Sequence, residues 1–96
     1  MKISGKQVTA ARDLLGITQV ELAQAAGLST DTILMFEAGK TNPYSSSLQK
    51  IVSELERRGI EFIDGQTPPS EGEAIGVRLN LTKASAYVRA EKGAAG

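Results

Sequence analysis

The side chains of this 96-residue chain that could do chemistry are hydroxyls, amides, carboxylates and amines, because it has no histidine and no cysteine. Without those two residue types, neither an imidazole-activated nucleophile nor a thiolate metal site can be assembled. No disulfide framework is possible either, so no oxidising compartment is implied. Glu71 and Glu73 lie close in sequence, but two carboxylates without a nucleophile or a pocket make a poor active site. The expectation is a protein that is not an enzyme and has no catalytic residue, metal or cofactor. What remains are short polar side chains concentrated between residues 18 and 42, suited to hydrogen bonding.

Eleven basic residues balance eleven acidic ones, and residues 1–60 carry seven Lys/Arg against six Asp/Glu. A nucleic-acid binder normally leaves a basic footprint, so any affinity for phosphates must come from where charges stand and from pairing of subunits. A chain of this size has room for one small core, which favours a binding module over an enzyme with a large cleft. The opening MKISGKQVTA lacks the apolar stretch of a signal peptide, and no window approaches the roughly 20 apolar residues that span a bilayer. A cytoplasmic protein with no membrane partner is expected.

These residues need elements to position them, and the punctuation supplies the boundaries. Ser4 and Gln7 have capping-box spacing ahead of Val8, Ala11 and Leu15 on one helical face, and Gly16 stops that helix. Thr18 and Glu21 repeat the spacing, predicting a second helix over 19–26 that buries Leu22 and Ala23 and ends at Gly27. Leu28 then stands in a turn, and Ser29 is the N-cap of a third helix reaching Ala38, with Ile33 and Phe36 inward and Gly39 behind it. Asn42-Pro43 marks a loop. Leu48, Ile51, Val52 and Leu55 predict a fourth, strongly amphipathic helix starting among Ser45 to Ser47, with Glu54 on its exposed face. Arg57-Arg58 before Gly59 reads as the cationic end of that helix.

Ile60 to Ile63 reads as a short strand and Asp64 to Gly76 as an exposed loop. Gly76 to Leu81 reads as a second strand with Val77, Leu79 and Leu81 on one face. From Lys83 onward helical character is weak, around Ala84 to Lys92, and a partly disordered tail is expected. The expected divisions are a helical domain over 1–59, a strand–loop–strand extension over 60–82 that serves dimerisation, and a flexible tail over 83–96.

Two short helices joined by a glycine-containing turn form the helix-turn-helix pattern, whose second helix enters the major groove of DNA. Ala23 is small enough for a close helix crossing, and Gly27 can take a left-handed turn conformation at little cost. The stretch Leu15 to Pro43, LGITQVELAQAAGLSTDTILMFEAGKTNP, resembles the repressor and Cro family of lambdoid phages, the XRE family. The resemblance covers residues 5 to 60. It rests on Thr18-Gln19, Glu21-Leu22-Ala23, Ala26-Gly27-Leu28-Ser29 and Glu37-Ala38-Gly39-Lys40.

The resemblance implies a mainly α fold, a lambda-repressor-like bundle of four to five helices, here with a short C-terminal two-stranded β element. It implies that Gln19 touches a phosphate or base at the start of the second helix. Thr30, Asp31, Thr32 and Met35 would face the groove behind the Ser29 cap, while Lys40, Thr41 and Asn42 hold the DNA backbone. It also implies an ion pair between Arg12 and Glu37 that is structural rather than a DNA contact. Thr, Asp, Thr and Met include no bidentate base reader; Met35 suits a thymine methyl and Asp31 a cytosine amine, with a share left to DNA shape.

The function expected is a transcriptional regulator that binds double-stranded operator DNA as a homodimer and acts as a repressor. The alternative is an antitoxin or accessory module whose C-terminal strand and tail bind a protein partner.

Overall fold

The computed structural model describes residues 3–40, 45–64 and 75–95. Along these the order is α1 (Gly5–Leu15), α2 (Gln19–Ala26), α3 (Thr30–Glu37), α4 (Ser45–Arg57), β1 (Ile60–Asp64), β2 (Ile75–Leu79) and α5 (Leu81–Ala95). The fold is therefore mainly α, five helices and one antiparallel two-stranded sheet among the described residues. No helix there is long and apolar enough to cross a membrane.

Local chemistry fixes the helix starts as the capping spacing requires. Ser4 accepts from the Gln7 amide while Gln7 Oε1 accepts from the Ser4 amide at 2.9 Å, and Thr18 with Glu21 repeats the reciprocal pair. Each box satisfies two backbone donors that a helix N-terminus leaves orphaned. One core then joins all the elements up to the sheet. Val8 and Ala11 of α1, Leu22 of α2, Ile33 of α3, Ile51 and Leu55 of α4 and Ile60 of β1 are buried together. Burial of such side chains is worth roughly 1.5–3 kcal/mol each for the larger ones.

The sheet is tied to α1 by a residue the sequence marks only as part of a cap. Gln7 is buried, and its Nε2 donates to the Ile63 carbonyl at 2.8 Å and the Gly76 carbonyl at 3.1 Å, one on each strand. Ile60 pairs with Leu79 and Asp64 with Ile75. The second strand therefore runs Ile75–Leu79 instead of 76–81, and Leu81 lies outside it, 72% exposed at the start of α5. Asn80 makes the break: its Oδ1 accepts from the Lys83 amide at 3.0 Å, capping a helix where the apolar alternation suggests more strand.

The tail expected to be flexible from Lys83 onward is instead most of α5. Its alanines, with Leu81, Lys83, Arg89 and Glu91, are good helix formers, and long-range polar contacts dock it. Arg57 and Arg58 each place their guanidinium 5.0 Å from the centre of the Tyr87 ring, within cation–π range. Arg57 Nη1 donates to Glu91 at 3.1 Å. Gly59, with φ of 109°, receives the first turn: its carbonyl accepts from the Asn80 amide at 2.8 Å, and a Cβ there would stand 2.9 Å from the Ala84 nitrogen.

Glu54 is not on an exposed face. It is 7% exposed, with Arg57 Nη2 at 3.0 Å and Arg58 Nε at 2.7 Å from its Oε2. The helical period places it beside Leu55, at the margin of the apolar stripe, and the arginines that dock α5 close over it. Glu54→Ala should therefore cost roughly 1.5–3 kcal/mol, the worth of hydrogen bonds to charged groups, whereas Glu56→Ala, which is exposed, should cost almost nothing. Urea unfolding of the two variants compares them directly. Equal stability would mean the arginines do not depend on Glu54.

Candidate nucleic-acid interface

The unit that could meet DNA is α2, the turn at Gly27 and Leu28, and α3. Gly27 ends α2 in a left-handed conformation with φ of 71°, and the Leu28 amide donates to the Ala23 carbonyl at 2.9 Å. Leu28 packs against the core as the corner plug. Ser29 caps α3 by accepting from the Thr32 amide at 3.3 Å. Ile33 and Phe36 hold the inner face of α3, which leaves the other face outward.

The side chains implied as DNA contacts stand as follows. Ser29, Asp31 and Lys40 are exposed, while Thr30, Thr32 and Met35 are half-buried. The Thr32 hydroxyl lies 2.9 Å from that of Ser29, so both belong to the cap. Gln19, the first residue of α2, donates through Nε2 to Glu37 Oε1 at 3.2 Å. An amide nitrogen has two protons to give, and this bond uses one. Thr41 and Asn42 lie outside the described residues.

Glu37 is the hub that sets α3 against α1 and α2. Its side chain is 6% exposed. Arg12 donates to it through Nε at 3.0 Å and Nη2 at 3.1 Å, and the Thr9 hydroxyl adds a bond at 2.9 Å. Arg12 Nη1 also donates to the Ile17 carbonyl at 3.0 Å, bracing the turn before α2. Burial pushes the Glu37 carboxyl up, but the bonds from Arg12, Thr9 and Gln19 outweigh it and hold it below the ordinary carboxylate range. The bond to Glu37 in turn raises Arg12. A fork of this kind fixes two planar groups in register, so the outward face of α3 is held at a defined angle to α2.

Three residues matter here beyond those implied. Gly5 sits where α1 crosses the end of α3: a Cβ would overlap the Phe36 carbonyl oxygen and come within 3.0 Å of the Glu37 Cα. Thr9 completes the Glu37 site; its place one turn before Arg12 is a signal the sequence did contain. Leu34, 45% exposed, stands on the outer side of α3 between Ile33 and Met35.

Comparison with known proteins agrees with this architecture. The helix-turn-helix family model matches residues 8–62, which is more than half of the chain and runs from the first core residue of α1 into β1. No curated protein matches the chain. The chain thus belongs to the XRE helix-turn-helix family of Cro and repressor type, a family of DNA-binding transcription regulators.

Proposed function

We propose that the protein is a sequence-specific transcriptional regulator, a repressor working in the cytoplasm, that binds operator DNA as a homodimer with α3 in the major groove. The observation that carries this reading is the fixed attitude of α3, with Ile33 and Phe36 in the core, Glu37 clamped by Arg12, and the opposite face exposed. Thr30, Asp31 and Met35 stand toward base edges, with Ser29 and Thr32 at the helix start. Gln19 gives its second amide proton to a phosphate. Lys40 makes a phosphate contact with Thr41 and Asn42 beside it. The homodimer reading rests on apolar side chains left exposed at either end of β2, Ile75 at its start and Leu81 just beyond its last residue, both more than half exposed, and on the two-fold symmetry usual for operators.

With a net charge of zero, affinity for random DNA is weak and fades quickly as salt rises. Lys40→Ala should weaken binding to operator and scrambled duplexes alike and reduce the salt slope by about one unit. Thr32→Ala, which removes the hydroxyl beside Ser29, should cost discrimination at one base position by roughly 1–3 kcal/mol. Fluorescence anisotropy at two salt concentrations reads both effects, and sedimentation of the full chain reads the dimer. A monomer at high micromolar concentration, or a Lys40→Ala variant that binds as tightly as wild type, would count against the corresponding part.

One feature favours a second reading, an antitoxin or accessory module with a protein partner. An apolar cleft of about 260 Å³ lies between α1 and α5, lined by Leu14, Leu79, Tyr87 and Val88 among others. Failure of DNA binding in the anisotropy experiment would bring this reading forward.

A further inference from the structure

We infer that α3 reads pyrimidine edges, with Leu34 packed on a thymine C5-methyl group and Asp31 accepting from the N4 amine of a neighbouring cytosine. The inference rests on the proposed operator binding and names the base chemistry of that site. Residues Thr30–Glu37, TDTILMFE, contain no Arg, Lys, Gln or Asn. Guanine offers only acceptors, N7 and O6, in the major groove. Asp31, exposed and without an ion-pair partner among the described residues, has only acceptors of its own, so guanine repels it. Adenine sets its N6 donor beside the N7 acceptor, again facing the carboxylate with a lone pair. Cytosine shows a donor at N4 with an apolar C5 edge next to it, and the carboxylate fits that edge best.

Leu34 supplies the second half. Ile33 and Phe36 already anchor α3, yet Leu34 is left 45% exposed and outside the core cluster. It follows Asp31 by three positions, so their Cβ atoms lie roughly 5–6 Å apart on one side of the helix. Bases on one strand rise about 3.4 Å per step, so the two side chains reach neighbouring steps. Consecutive pyrimidines line their C5 positions along the groove wall, where Leu34 meets a methyl group and half-buried Met35 packs beside it. The half-site this face fits holds a cytosine next to a thymine on one strand.

The test begins with a duplex selected from a random pool by the full-length protein, its thymines then replaced singly by deoxyuridine, which removes only the methyl group. At one thymine per half-site, the replacement should weaken binding about fourfold, the worth of one buried methyl-sized group. Leu34→Ala should bind thymine and deoxyuridine duplexes equally, as a double-mutant cycle requires of coupled groups. Because Leu34 is half exposed, its variant should melt with wild type. Asp31→Asn should lose the cytosine preference at the neighbouring position and accept adenine. If no thymine senses the loss of its methyl group, or Leu34→Ala keeps the full difference, the pyrimidine reading is overturned while operator binding stands. If wild type enriches no duplex at all, both readings fall.

Discussion

Glu37→Ala should lower stability by about 3–5 kcal/mol, the cost of leaving one member of a buried ion pair without its partner. Four side-chain donor contacts converge on this carboxylate, from Arg12 Nε and Nη2, Thr9 and Gln19. Its removal therefore strands a mostly buried guanidinium and frees the ends of α2 and α3 at once. In a chain this small, a loss of that size should lower the melting midpoint by more than about 10 °C. Exposed Glu56→Ala provides the comparison. Near-equal midpoints for the two would show that Glu37 does not brace the fold.

The same group makes stability depend on pH. The folded carboxyl is held below its unfolded value, which lies near 4.3. Its contribution is thus complete above about pH 4.3 and is lost as pH falls through the folded value. Wild type should lose stability on acidification across that window, and Glu37→Gln, already weaker at neutral pH, should lose less. Unfolding curves between pH 3 and 7, the interval about that reference value, distinguish the two slopes.

Gly5→Ala should be the second large effect, with a sign opposite to helix propensity. Gly5 opens α1, and alanine in a helix is favoured over glycine by about 1 kcal/mol. Propensity alone predicts a gain. The added methyl would instead overlap the Phe36 carbonyl oxygen, with Glu37 backbone atoms behind it. Backbone cannot swing aside as a side chain can, so the cost should reach the upper end of overpacking, about 3 kcal/mol. The net expectation is a loss of roughly 2 kcal/mol, and α3 should move away from α1 with the Glu37 cluster disturbed. A variant as stable as wild type in urea would mean that the helices do not cross this closely.

Gly5 also marks where sequence reading stops. Helix starts were legible because Ser4–Gln7 and Thr18–Glu21 are local devices whose spacing is their geometry. The core residues of α1 to α4 were legible from period, and the Arg12–Glu37 pair from the resemblance. Contacts that depend on how elements meet were not. Nothing in the periodicity says that Gly5 faces α3, that Gln7 reaches both strands, or that Arg57 and Arg58 embrace Tyr87. For that reason α5 read as a tail and Glu54 as a surface residue. At the proposed interface, the resemblance placed Gln19 at the start of α2, but its bond to Glu37 exists only once α3 is in position. Leu34 was not legible because it stands between the inward Ile33 and the groove-facing Met35, where neither the period nor the resemblance gives it a role, and its exposure shows only in the packed structure.

Incubating the full-length protein with a pool of random duplexes at moderate salt, and sequencing those retained, shows whether this chain reads DNA sequence. Enrichment of a palindrome whose half-sites lie about 34–36 Å apart, one turn of DNA, is expected. Retention of no sequence above the starting pool, by protein that is folded and carries an intact Glu37 cluster, would contradict it.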